Sequence, residues 1–131
     1  MRGKILVADD SDVMRTTLVA LFRMARPEAE VFEATDGHSA VSLAIEHEPD
    51  VIVLDGEMPH MNGFQAAQRL RAMAKTARIP LIGISAETTE NPVVFGLQKM
   101  CNVFWPKPVP IDRLLAFVDQ VMTRETVAAA S

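Results

Sequence analysis

Residues 5–10 read ILVADD, a short apolar run that ends in the acid pair Asp9-Asp10, and this is the most informative pattern for predicting the fold. Apolar runs of this length without helical spacing indicate strands that are buried on both faces, as in a parallel sheet. The pattern returns along the chain at residues 31–34, 51–54, 81–84 and 103–105, of which the first and the last are weaker. The sequence therefore predicts five strands.

Segments with the three- and four-residue spacing of amphipathic helices follow these runs. Four of them have clear apolar stripes: Met14, Leu18, Leu21, Phe22 and Ala25; Ala40, Val41, Ala44 and Ile45; Phe64, Ala67, Leu70 and Ala74; and Ile111, Leu114, Leu115, Val118, Val121 and Met122. The remaining helix, fourth in the chain, is predicted from about Pro92 to Met100, because Asn91 is a good N-cap and proline suits the first helical position. Strands joined by helices need right-handed crossovers, so the alternation predicts an α/β fold, (βα)5, with a doubly wound five-stranded parallel sheet.

Composition limits the class of protein. The 131 residues suit one domain, expected over residues 1–125 with a C-terminal tail over residues 126–131, and the net charge of −4 offers no basic surface for nucleic acid. No apolar run approaches the roughly 20 residues of a membrane helix. The lone Cys101 excludes an internal disulfide and, with no signal peptide, indicates a reducing cytoplasm.

The residues at the carboxyl ends of the predicted strands carry the chemistry. Asp9-Asp10 follow the first strand, Asp55 the third and Ser85 the fourth, and Lys107 follows the fifth. Sheets of this kind bind ligands at that edge, and strands 1, 3, 4 and 5 should be neighbours in this topology. We therefore expect three acids, a hydroxyl and a lysine in one crevice.

Such a crevice predicts a metal and an anionic substrate. Three ionised carboxylates repel one another, and a hard divalent cation relieves that repulsion; oxygen ligands favour Mg2+, Mn2+ or Ca2+. A site with few protein ligands, and so with room for water and phosphate oxygens, is typical of Mg2+. Together with Lys107 and Ser85, a carboxylate nucleophile and a metal suit transfer of a phosphoryl group.

Four motifs resemble those of response-regulator receiver domains. They are VADDS at residues 7–11, LDGEMP at residues 54–59, Ser85-Ala86, and Lys107-Pro108. The intervals from Asp10 to Asp55, on to Ser85 and on to Lys107 are 45, 30 and 22 residues. Each motif alone is weak evidence, but all four in order at family-like spacing, within residues 3–122, are strong evidence.

The resemblance implies a strand order of 2-1-3-4-5, as in flavodoxin-like folds, and Asp55 as the phosphoacceptor. Asp10 and Asp55 would bind Mg2+ directly and Asp9 through water. The backbone carbonyl of Glu57 would be a further ligand. The phosphoryl donor would be a phosphohistidine on a sensor histidine kinase or a phosphotransfer protein.

The resemblance also implies how residues around the site would respond to phosphorylation. Ser85 would hydrogen-bond the phosphoryl group and shift toward it, and Lys107 would pair with the phosphoryl oxygens. The Lys107-Pro108 bond is often cis in this family. Phe104 matches the switch aromatic of the family, whose side chain turns inward upon phosphorylation. Glu57 stands where the family tunes the lifetime of the phosphorylated form, so a carboxylate there would orient or repel a hydrolytic water.

The chain departs from the family pattern at several positions. Asn62 replaces the usual aspartate before a glycine, and we expect it still to cap the third helix. Asn102 stands near a position that is commonly glycine, so we expect it to adopt a left-handed conformation. Phe104 lacks the hydroxyl of the commoner tyrosine. Pro106 cannot donate to a strand ladder, which predicts a short strand or an edge strand.

Ordinary structural roles compete with these assignments. Asp9-Asp10 would also serve as helix-capping acids, and Ser85 and Lys107 as surface groups. Phe104 would also serve as a half-buried edge aromatic. The remaining candidates for chemistry, which lack ligand spacing or a partner acid, are interpreted as solvated or packing residues: His38, His47, His60 and Cys101.

Three functions are compatible with these residues. The first is a receiver that signals through an unidentified protein partner, either alone, since the chain starts at Met1 and shows no output domain after residue 125, or as part of a longer protein. It has no separate turnover substrate, and homodimerisation on phosphorylation is left open. The second is a phosphohydrolase with an aspartyl nucleophile and Glu57 as general acid, which usually needs a cap domain. The third is a binding module that has lost phosphorylation.

Overall fold

The computed structural model describes residues 3–130, with side chains through residue 123. Five parallel strands form one sheet in the order β2-β1-β3-β4-β5, and helices connect them. The elements, in chain order, are β1 (Lys4–Ala8), α1 (Asp12–Ala25), β2 (Glu30–Ala34), α2 (Gly37–His47), β3 (Val51–Asp55), α3 (Gly63–Ala72), β4 (Leu81–Ser85), α4 (Pro92–Met100), β5 (Val103–Pro106) and α5 (Ile111–Ala130). The predicted α/β fold and its strand order are confirmed.

The sheet is covered on both faces because successive strand residues point in opposite directions. In β1, Ile5 and Val7 belong to the core that includes residues of α1 and α5, whereas Leu6 and Ala8 belong to the core that includes residues of α2, α3 and α4. All residues of β3 and β4 are buried. This burial explains why the central strands read as unbroken apolar runs in the sequence.

Two predicted features of local structure are confirmed at α3 and α4. Asn62 caps α3 through a capping box, in which its side chain accepts from the Gln65 amide and the Gln65 side chain accepts from the Asn62 amide. The helix α4 has the predicted bounds, with Asn91 as N-cap and Pro92 in its first turn. The short edge strand β5 also agrees with the prediction from Pro106.

The expectation for Asn102 is wrong. Among the described residues, the non-glycine residues with positive φ are Glu48 and His60. Asn102 instead bonds through its side chain, whose Oδ1 accepts from the Leu81 amide at 2.9 Å and from Arg71 Nη2 at 3.0 Å. Side-chain hydrogen bonding thus replaces a left-handed turn as the device that aligns the starts of β4 and β5.

The predicted tail is largely helical in its backbone. The helix α5 continues through Ala130, because the sequence VAAA at residues 127–130 contains no helix breaker and alanine has the highest helix propensity. Ser131 lies outside the described residues, as do the side chains from residue 124 onward.

Another difference concerns His47, which was expected to be solvated but is half-buried and stacks on Phe32 with ring centroids 4.1 Å apart.

The start of α3 approaches the end of β3 too closely for a side chain. A Cβ on Gly63 would lie 2.2 Å from the carbonyl oxygen of Asp55, and the Gly63 amide donates to the carbonyl of Gly56 at 3.0 Å. The neighbouring Gly56 has ordinary space, since its nearest contact would be 3.5 Å. Gly63 therefore allows the close approach that positions the backbone after Asp55.

We predict that Gly63→Ala lowers the free energy of unfolding by about 1–3 kcal/mol, because the new methyl group clashes with backbone that has little freedom to move. Gly56→Ala, the matched control, should change it by less than about 1 kcal/mol. Urea unfolding of both variants measures the difference. Equal stabilities would contradict the close approach.

Candidate functional site

The three predicted acids meet where β1 and β3 end. The pairing of Ala8 with Leu54 in the parallel register places the next residues, Asp9 and Asp55, side by side. Asp10 completes the group, and one carboxylate oxygen from each of the three acids lies within 4.8 Å of the others. The sheet register thus brings Asp55 together with acids that are 45 and 46 residues earlier in the chain.

Burial makes this cluster electrostatically costly. Asp9 and Asp55 are 0% and 1% exposed, while Asp10 is exposed. Burial, and then the negative charge of Asp9, raise the pKa of Asp55 to about 8, although the positive charge of Lys107 opposes the shift. Asp55 therefore needs positive charge to remain ionised at neutral pH.

Lys107 supplies part of that charge from β5. Its Nζ lies 3.1 Å from Asp9 Oδ2 and 3.5 Å from Asp55 Oδ1. Burial alone would lower the pKa of Lys107, but the carboxylates of Asp55 and Asp9 outweigh it and the pKa is raised. The Lys107 amide donates to the carbonyl of Ser85 at 2.7 Å, and the Lys107-Pro108 bond is cis, as the resemblance implied.

The acid cluster still has unsatisfied oxygens. Asp9 Oδ2 and Asp55 Oδ1 are buried and accept no hydrogen bond of good geometry, although Lys107 lies near both. The remaining oxygen of Asp9, Oδ1, accepts from the Ser11 amide at 2.9 Å. Three carboxylates, two of which have an unsatisfied buried oxygen, together with open access at Asp10 fit a hard divalent cation such as Mg2+.

Ser85 and Ala86 form hydrogen bonds with the side chain of Glu57, which were not predicted from the sequence. The Ser85 hydroxyl donates to Glu57 Oε2 at 2.6 Å, and the Ala86 amide donates to Glu57 Oε1 at 3.0 Å. The Glu87 amide in turn donates to Ser85 Oγ at 2.9 Å. The position of Glu57, two residues after Asp55, indicated a role in the sequence, but only the pairing of β3 with β4 reveals this partner.

Phe104 and Trp105 lie on opposite faces of β5. Phe104 is half-buried beside α4, opposite Gly83 of β4, and a Cβ on that glycine would lie 2.9 Å from the Phe104 ring. Trp105 is half-buried on the other face and packs with the core beneath α1 and α5. Gly83 thus leaves the space that the Phe104 ring occupies.

Asp12, which follows the acid pair in the chain, and Cys101 take no part in the acid cluster. The carboxylate of Asp12 is exposed and pairs with Arg15 at 2.6 Å. Burial, opposed by the charge of Arg71, raises the pKa of Cys101 to about 12, which keeps the thiol protonated and unreactive, as expected for a packing residue. Within the residues that the structure describes, the acid group at Asp55 is the cluster with metal-ligand spacing.

Comparison with known proteins gives a consistent result. Residues 5–119 match the family described as response regulator receiver domain. The chain is 33% identical over 120 residues to the protein PilH from Pseudomonas aeruginosa, covering 92% of this chain and 98% of that protein. It is also 41% identical over 107 residues to a protein-glutamate methylesterase/protein-glutamine glutaminase from Haloarcula marismortui, covering 80% of this chain but only 28% of that longer protein.

The structural comparison agrees with these relatives. The chemotaxis protein CheY4 from Vibrio cholerae superposes with a TM-score of 0.79 at 26% identity, covering 92% of this chain and 99% of that chain. In the part of the chain that the structure describes, no helix combines the length and the apolar character needed to cross a membrane.

We predict that the free energy of unfolding of the metal-free protein falls as the pH rises from 3.8 toward about 8. Over this range the folded state keeps the Asp55 proton that the unfolded chain has lost, because the folded pKa is raised from 3.8 to about 8. Asp55→Asn should flatten this dependence and stabilise the protein at pH 8, by roughly 1.4 kcal/mol for each unit of pKa shift that it removes.

Urea unfolding at several pH values measures the effect, and Mg2+ should raise the stability of the wild type at pH 8 because it binds the folded state. Asp112→Asn, at an exposed acid on α5, is the control and should leave the slope unchanged. A wild-type stability that rises over this pH range would contradict the electrostatic assignment.

Proposed function

The chain belongs to the response regulator receiver domain family, and we propose on this premise that it is a phosphorylation switch in which Asp55 accepts a phosphoryl group from a phosphohistidine. The observation that carries the proposal is the convergence of Asp9, Asp10 and Asp55 with Lys107, whose Nζ lies 3.5 Å from Asp55 Oδ1. The receiver is proposed to comprise residues 1–125.

The transfer step is a displacement at phosphorus. A carboxylate oxygen of Asp55 forms the new bond to phosphorus as the bond from phosphorus to the donor's imidazole nitrogen breaks, and the imidazole leaves with the electron pair. The acyl phosphate that results keeps the equatorial oxygens, which need charge neutralisation and hydrogen-bond donors. Lys107 supplies the charge, and the Ser85 hydroxyl is within the same crevice.

Mg2+ would be held by Asp9, Asp10, Asp55 and the backbone carbonyl of Glu57. The fit rests on the three carboxylates and on the buried oxygens Asp9 Oδ2 and Asp55 Oδ1, which accept no hydrogen bond of good geometry. When bound, the ion neutralises charge on the carboxylates and on the phosphoryl oxygens. Asp55 then remains ionised and nucleophilic at neutral pH despite its burial.

The output is proposed to travel through Ser85 and Phe104. Ser85 lies at the end of β4, and Phe104 lies opposite Gly83 on the same pair of strands, so a displacement of the Ser85 side chain reaches the space that the Phe104 ring shares with α4. The partner upstream is a sensor histidine kinase or a phosphotransfer protein. The partner downstream is a protein that contacts the surface of α4, β5 and α5.

Two further parts of the proposal concern turnover and location. The protein catalyses its own phosphorylation and dephosphorylation and has no separate turnover substrate. It acts in the cytoplasm, which agrees with its single free cysteine, Cys101.

We predict that acetyl phosphate with Mg2+ adds one phosphoryl group to the wild type, as measured by intact mass, and that chelation of Mg2+ prevents it. Asp55→Asn should remove the adduct because the nucleophile is lost. Asp12→Asn, at an exposed acid that pairs with Arg15 and takes no part in the cluster, should retain it. The fluorescence of Trp105, the single tryptophan, should change along with the adduct.

An adduct that survives Asp55→Asn would disprove the assignment of the phosphoacceptor. An adduct that forms equally well after chelation would disprove the role of the metal. Turnover of a small phosphomonoester by the wild type would instead favour the phosphohydrolase.

Glu57 is proposed to set the lifetime of the phosphorylated form, because its carboxylate lies beside the groups that face the phosphoryl oxygens. We predict that Glu57→Ala changes the half-life of the adduct, followed by intact mass after acetyl phosphate is removed. An unchanged half-life would show that the side chain has no such role.

A further inference from the structure

The Glu57 carboxylate occupies the hydrogen-bond donors beside Asp55. One oxygen accepts from the Ser85 hydroxyl at 2.6 Å and the other from the Ala86 amide at 3.0 Å. Both donors are thereby used by a single anionic group in the protein without any ligand. A carboxylate that accepts two such bonds holds them strongly, because hydrogen bonds to an ionised acceptor are shorter and about twice as strong as neutral ones.

The position of these donors makes them the ones that a phosphoryl group on Asp55 would use. Asp55 pairs with Ile84 across β3 and β4, so Ser85 and Ala86 follow directly on the neighbouring strand. A Cβ on Gly56 would lie 3.6 Å from Ser85 Oγ, which shows how near the hydroxyl comes to the backbone after Asp55. The ammonium group of Lys107 contacts Asp9 and Asp55 and is not among the partners of Glu57.

We propose that Glu57 is an intramolecular competitor of the phosphoryl group, whose carboxylate occupies the Ser85 hydroxyl and the Ala86 amide until a phosphoryl group displaces it. This inference rests on the proposed function and names the step that regulates it. The two oxygens of the carboxylate take the places of two phosphoryl oxygens. Loading of Asp55 therefore requires the Glu57 side chain to leave.

The competition has a consequence for the Ser85 side chain. The Ser85 hydroxyl donates to Glu57 and accepts from the Glu87 amide, so its orientation toward the site is set before any phosphoryl group arrives. Phosphorylation then exchanges one anionic acceptor for another at the same hydroxyl. The larger rearrangement falls on Glu57, whose side chain is released toward the pocket that it shares with Asp10, Asn91 and Val93.

The Glu57 side chain must be long enough to accept from Ser85 and Ala86 together. Variants that change its length or its charge separately therefore test the contact. Glu57→Asp keeps the negative charge but is one methylene shorter, so it should no longer reach Ser85 and Ala86 together. Glu57→Gln keeps the reach but has one carbonyl oxygen, so it can accept properly from only one of the two donors. Glu90→Gln, the control, removes a carboxylate from the exposed loop between β4 and α4 without changing the side chain that binds these donors.

The first experiment is a titration with beryllofluoride in the presence of Mg2+, read by Trp105 fluorescence, because beryllofluoride places an anionic group on a carboxylate without transferring phosphorus. We expect Glu57→Asp and Glu57→Gln to bind it about tenfold more tightly than the wild type, a factor that corresponds to about 1.4 kcal/mol. Glu90→Gln should bind it as the wild type does.

The second readout is the amide NMR signal of Ala86 in the absence of Mg2+ and beryllofluoride. In the wild type the Ala86 amide donates to a carboxylate, so its proton should resonate downfield and exchange slowly with water. Glu57→Asp should shift the signal upfield and speed its exchange, and adding Mg2+ with beryllofluoride should reverse both effects. This measurement requires no phosphorylation.

The outcomes distinguish this inference from the proposed function. Tighter binding in Glu57→Asp together with the Ala86 shift supports the competition. Equal binding in the wild type and Glu57→Asp, or an unchanged Ala86 signal, overturns the competition and leaves the switch intact. Tighter binding only in the variants that lose charge, Glu90→Gln included, would assign the effect to general electrostatics and also overturn it. No binding in any variant overturns the switch and the competition together.

Discussion

The repulsion between two buried carboxylates is the constraint on which the site depends. Asp9 and Asp55 are held side by side by the register of β1 and β3, and neither can move apart without breaking the ladder. Lys107 relieves part of the repulsion from the end of β5, but a buried oxygen of each acid still accepts no hydrogen bond of good geometry. The register of the sheet thus keeps a cluster of carboxylates together, and added positive charge, such as that of a divalent cation, would stabilise it.

The rest of the fold supplies the rigidity that this arrangement needs. The central strands are buried on both faces by two apolar cores, one beneath α1 and α5 and the other beneath α2, α3 and α4. Burial of that much apolar surface is the main stabilising contribution to folding. It offsets the electrostatic cost at the strand ends, and the close approach at Gly63 fixes the backbone that follows Asp55.

The strand pair β4 and β5 connects the site with the surface around α4. Ser85 ends β4 beside Asp55, while Gly83, two residues earlier, leaves space for the Phe104 ring. At the other end of the same pair, Arg71 and Asn102 bind the strands together through hydrogen bonds. These hydrogen bonds hold the starts of the two strands, at the end of the pair that lies away from the acid cluster.

The apolar runs that end in acids were sufficient to predict the α/β fold, because such runs mark buried strands and their carboxyl ends. The resemblance of four motifs to receiver domains supplied the strand order and the candidate site residues. The sequence also determined the caps at Asn62 and Asn91, since capping depends on residues only a few positions apart. The hydrogen-bond partners of the Asn102 and Glu57 side chains, in contrast, depend on tertiary contacts. Their partners, Leu81 and Arg71 for Asn102 and Ser85 and Ala86 for Glu57, lie 21 or more residues away in the chain, and side-chain hydrogen bonds over such separations are set by strand pairing rather than by local pattern.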